Sequence, residues 1–93
     1  MIFAYPAIFK ETAPSSFEGR FPDLPGLAVT GASLDGTIQE AIELLRRVIT
    51  AELTEEEDPQ MPRVSHVDDV IAEEGEIVRL ISCNVRLDTG WAD

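Results

Sequence analysis

The stretch Phe21-Pro22-Asp23-Leu24-Pro25-Gly26 decides how this chain is read. Pro22 and Pro25 each hold φ near about −65° and lack an N–H, so the residues between them cannot belong to a central strand. Gly26 is free to take the positive φ that re-aims the chain. The hexapeptide is therefore a rigid turn, and it predicts that Asp23 is displayed on a stiff loop. Upstream, residues 2 to about 10 carry Phe, Tyr and Ile around Pro6 and read as a strand, with the proline at an edge or a bulge. Thr12 to Ser16 around Pro14 is a turn, and Phe17 to Phe21 returns as a second strand weakened by Gly19. Downstream, Leu27 to Thr30 forms a third short strand, which makes a meander.

Ser33 then opens a helix. It is a good N-cap, Asp35 suits the positive end of the helix dipole, and Leu34, Ile38, Ala41, Ile42, Leu45, Val48, Ile49 and Leu53 recur at helical spacing. One face of this helix packs on the sheet. Gly36, in the first turn, costs up to about 1 kcal/mol relative to alanine. Asp58-Pro59-Gln60-Met61-Pro62 ends the helix in an extended linker, because each proline biases the residue before it away from helix. Ser65 is expected to cap a short helix running to about Glu73, with Asp68 in the capping-box position and Val67, Val70 and Ile71 on its apolar side. After Gly75, Ile77 to Leu87 is a strand with apolar residues on both faces, which predicts a place near the centre of a sheet or at a subunit contact.

Tyr5-Pro6-Ala7-Ile8-Phe9, the Phe-Pro-Asp-Leu-Pro-Gly string and Gly31-Ala32-Ser33-Leu34, in that order and at that spacing, resemble the HicB family of bacterial antitoxins. The likeness covers roughly residues 3 to 87. It implies an α+β, partial RNase-H-like fold: a three-stranded antiparallel meander, a long helix packed on it, a short helix and a final strand joining the sheet. It also implies a non-catalytic protein that covers and silences a small, basic HicA-like toxin which cleaves messenger RNA. Much of the family adds a DNA-binding segment after the final strand. Only Asp88-Thr89-Gly90-Trp91-Ala92-Asp93 follows Leu87, so the expectation is a form with the N-terminal domain only and no direct DNA binding.

Composition agrees with a protein partner. The 93 residues make one domain, 1–93, and at this length folding buries only about 60–65% of the chain's surface. A homodimer or tetramer would relieve that shortage of core. Acids outnumber bases 18 to 7, a net charge of −11, which repels nucleic acid and attracts basic protein. Ten acids lie between Glu52 and Glu76 against one base, Arg63, and the seven bases of the chain are scattered. Cys83 is alone, which excludes an intramolecular disulfide and a cysteine metal site and fits a reducing cytoplasm. The apolar run Met1 to Phe9 is too short to span a bilayer.

The residues suited to chemistry have simpler readings. Asp23, Glu40, Asp68 and Asp69 are the carboxylates to test for a nuclease metal site, yet apart from Glu18 the strand cores carry no acid. His66 stands alone, and Cys83 alternates with Ile81 and Val85 as a small hydrophobe does. No cofactor or metal is expected. The contact surface for the partner is assigned to Tyr5, Phe9, Asp23 and Leu24, on the first strand and the stiff loop, where rigid display limits the ordering cost of binding. The alternative is a stand-alone interaction or scaffold protein of the same fold that self-associates without a toxin.

Overall fold

Strand β1, Ile2–Ala13, organises the computed structural model, which describes residues 2–55 and 63–85. It pairs antiparallel with β4, Glu76–Asn84, from Ile2↔Asn84 to Lys10↔Glu76, and with β2, Ser16–Arg20, from Ile8↔Arg20 onward. β2 pairs in turn with β3, Ala28–Gly31, so the sheet order is β3-β2-β1-β4. β1 is thus an interior strand, not the edge that Pro6 suggested. The proline is tolerated because β2 pairing begins only at Ile8, which leaves β4 as the single neighbour at Pro6 among the described residues. The irregularity in register falls elsewhere, between Glu11 and Ala13, just before a turn in which Ser15 takes φ 60°.

Side chains alternate across this sheet with the two-residue period of a strand. Phe3, Tyr5, Ala7 and Phe9 of β1, with Ile81 and Cys83 of β4, face the helix α1, Leu34–Glu55, and meet Ala41, Leu45 and Ile49 there. Gly19, opposite Phe9, has a specific reason to lack a side chain. A Cβ at this position would stand 2.6 Å from Cε1 of Phe9 and 2.7 Å from Cδ1, so the aromatic ring occupies the space that a β2 side chain would otherwise fill.

The hexapeptide folds as two successive β-turns. Leu24 N–H donates to the Phe21 carbonyl at 3.1 Å, and Leu27 N–H donates to the Leu24 carbonyl at 3.2 Å. In the second turn Pro25 precedes Gly26 at φ 90°, the combination that a type II turn demands. Phe21 and Leu24 drop their side chains into the core on either side of exposed Pro22.

The helix starts where its cap predicts. Gly36 N–H donates to Ser33 Oγ at 3.0 Å, and Thr37, fully buried, sends both its N–H and its hydroxyl to the Ser33 carbonyl. Gly31 is required beside it, because a Cβ there would collide with Thr37 Oγ1. A Cβ on Gly36 would lie 3.1 Å from the capping Ser33 Oγ, which accounts for part of the preference for glycine at that position.

Two expectations are corrected. The short helix from Ser65 to Glu73 is a single 3-10 turn, Val67–Asp69, capped by His66 rather than Ser65, because Ser65 is engaged by Asp23. Residues 63–73 otherwise run extended or in turns as a strap beside the second face of the sheet, where Pro6 and Ile8 are buried. Among the described residues β4 is an edge strand and not a central one, which leaves the subunit-contact alternative standing: Ile81, Cys83 and Val85 are buried, but Leu80 on the other face is 53% exposed. The acidic run Glu56-Glu57-Asp58, the proline linker to Pro62, Leu87 and Trp91 lie outside the described residues.

Candidate functional site

Asp23 sits at the second position after Phe21 in the first β-turn, half-buried and aimed across the molecule. Its Oδ2 accepts the Ser65 N–H and its Oδ1 accepts the Ser65 hydroxyl, each at 2.6 Å. Bonds of this length to a carboxylate are charge-assisted and among the stronger kinds. They latch the strap to the FPDLPG turn across 42 residues of sequence.

The latch creates a groove of about 330 Å³ between the two segments, lined by Ile8, Arg20, Pro22, Ser65, Asp69, Val70 and Ile71. Arg20 reaches across β1 to Glu76, with Nη1 donating to Oε2 at 2.8 Å. The Glu76 side chain is only 4% exposed and also accepts the Glu73 N–H at 2.7 Å. The hydrogen bond from Arg20 first, and that from the Glu73 backbone second, hold the Glu76 carboxyl below the usual glutamate range. The guanidinium in the groove is therefore already neutralised. Asp68, Asp69, Glu73 and Glu74 remain exposed along the strap.

The four residues assigned to the partner contact do not form one exposed surface. Tyr5, Phe9 and Leu24 are core side chains, at 1%, 0% and 6% exposure, so their contribution is packing rather than display. Burial, and secondarily the Asp23 carboxylate, pushes the Tyr5 phenol up. Of the four, Asp23 alone stands at the groove, and it acts there by positioning the strap. Ser65, Ile71 and the Arg20–Glu76 pair were not singled out as site residues. Ile71 shares its sequence signal, an apolar residue in an acidic segment, with Val64, Val67 and Val70.

Glu40 is exposed on α1, while Asp23 is bonded to Ser65 and Asp68 and Asp69 sit on the strap. No three of the described His, Cys, Asp or Glu residues gather closely enough to hold a metal ion. His66 is exposed, and its Nδ1 accepts the Asp68 N–H at 3.3 Å. Cys83 is buried, and burial pushes its thiol up, opposed in part by Arg46. No described helix is long and apolar enough to cross a membrane.

No protein-family model matches the chain, and no curated protein matches it. Solved structures do. The antitoxin HicB of Burkholderia pseudomallei superposes with a TM-score of 0.76 at 21% identity over 94% of this chain and 64% of that protein. A toxin–antitoxin complex from Streptococcus pneumoniae contains a chain that superposes with a TM-score of 0.77 at 14% identity over 100% of this chain and 79% of the other. At these identities the likeness establishes the fold. The chain has a HicB-like fold and spans 64% of the length of the Burkholderia protein.

Proposed function

We propose, from the HicB-like fold, that this chain is an antitoxin that binds and occludes a small basic toxin of the HicA kind, one that cleaves messenger RNA. The observation that carries the reading is the superposition of nearly the whole described domain on an antitoxin and on a chain of a toxin–antitoxin complex. The net charge of −11 supports it independently, since a protein this acidic favours a basic protein over nucleic acid. Inhibition then needs no catalysis: the antitoxin covers the toxin's RNA-binding surface, and the fields of the two proteins speed their encounter. The setting is the reducing cytoplasm, and the working form is a homodimer or tetramer.

The test is co-expression with the product of the adjacent reading frame. A toxic basic protein that co-purifies with this chain, with growth restored, is the expected result. A neighbour that is neither toxic nor bound overturns the antitoxin reading. The second reading, a self-associating module, has one observation in its favour: among the described residues β4 is an edge strand, and its own Leu80 is half-exposed.

A further inference from the structure

Ile71 is 88% exposed and Val64 is 46% exposed on a strap that also carries Asp68, Asp69 and Glu73. An isolated exposed hydrophobe is ordinary, but Ile71 lines a groove whose other apolar walls are Ile8, Pro22 and Val70, with Arg20, Ser65 and Asp69 as its polar lining. Its volume, about 330 Å³, is at the lower end of ligand-sized pockets and suits one or two inserted side chains rather than a polymer. Around it exposed acids outnumber bases, Arg63 being the one base on the strap. Arg20, the cation lining it, is neutralised by Glu76, while Asp68, Asp69, Glu73 and Glu74 point their carboxylates into water nearby.

We propose that this groove, between the Phe21–Gly26 turn and the 63–73 strap, is the docking surface for a basic protein. Resting on the antitoxin reading, that protein is the toxin. An apolar side chain of the partner seats against Pro22, Val70 and Ile71, and its flanking cations meet Asp69 and Glu73. Charge complementarity selects this occupant over two others. Nucleic acid carries the sign of the rim, and a second copy of the chain would bring the same four acids against them. The Asp23–Ser65 latch holds the two walls at a fixed separation, which lowers the ordering cost of docking. The helix α1 is also acidic overall, but there Arg46 and Arg47 are interspersed with Glu40 and Glu43, and Arg46 bonds Glu43 at 2.6 Å.

The experiment measures binding of the full chain to the basic protein of the adjacent reading frame for the wild type, Ile71→Asp, the double variant Asp69→Lys/Glu73→Lys, and Glu40→Lys on α1 as a comparison. All four substituted positions are exposed, and urea midpoints confirm that each variant is folded. Both groove variants are expected to weaken binding by about tenfold or more, with the charge reversal also slowing association and flattening its salt dependence, while Glu40→Lys stays close to wild type. Groove variants that bind like the wild type overturn the groove and leave the antitoxin reading standing. So does Glu40→Lys losing as much affinity as they do. A wild type that binds nothing overturns the antitoxin reading itself. Sedimentation supplies the remaining arm: if Ile71→Asp dissolves an oligomer and leaves partner binding intact, the groove is a contact between copies and the proposal fails.

Discussion

Phe9 and Gly19 are a single packing decision written at two positions. The ring of Phe9 lies over the β2 backbone, and its contact distances leave no space for even one methyl group on the facing residue. Phe9 itself has no exposed surface through which to move away. Gly19→Ala is therefore expected to destabilise the domain by about 1–3 kcal/mol, the usual cost of overpacking, and a urea titration measures it. A gain in stability, as expected if the glycine merely loosened the strand, would disprove this account. The same scale explains why Tyr5 and Phe9 point inward. Tyr5 and Phe9 are large aromatics on alternate positions of one strand, a pattern that puts them on one face without saying which element covers it. The covering element is α1, and the aromatics are its floor.

At the scale of elements, what is legible depends on how far away the partner lies. The Phe21–Gly26 turn and the Ser33 cap are closed by bonds within a few residues, and both form as the residue types predict. The short helix does not form, because Ser65 serves a distant residue instead of its own first turn. Hydrogen bonds to a charged group contribute about 1.5–3 kcal/mol, enough to outweigh a cap worth about 1. In Ser65→Ala the hydroxyl bond to Asp23 is lost and the backbone bond is left alone. Amide exchange in residues 63–71 is expected to quicken by about tenfold or more while the exchange of β1 and α1 is unchanged. Equal exchange in the two proteins would show that the latch does not hold the strap.

Across the whole molecule, the Arg20–Glu76 bridge ties β2 to β4 over the top of β1, spanning 56 residues of sequence. Because the Glu76 carboxyl is held below its ordinary value in the fold, the stability it contributes is fully present above the unfolded glutamate pKa of about 4.3 and is lost as the pH falls through the lower folded value. Urea midpoints of the wild type are thus expected to fall more steeply than those of Glu76→Gln below about pH 4.3, the two curves converging at the acid extreme. Comparison with the variant removes the acid dependence that the other 17 carboxylates impose on both proteins. Parallel curves would show that the bridge carries no net stability. The sheet order itself also belongs to this scale. An apolar two-faced β4 suggested a central strand, but the centre is held by β1, and β4 receives the strap beside its second face in place of a further strand.

By itself the sequence determined the meander, the rigid turn set by Pro22, Pro25 and Gly26, the capped helix with its apolar face, and the acidity that favours a basic partner. These follow from φ restriction, helical and strand periodicity and charge, all of which act locally or as a sum. Tertiary structure alone decided that Tyr5, Phe9 and Leu24 are core, that Asp23 latches Ser65, that the strap lies over the second face, and that Ile71 is left in water beside a groove. Each of those outcomes rests on packing or hydrogen bonding between residues far apart in the chain, where the relative positions of whole elements, and not local preference, decide which partners meet.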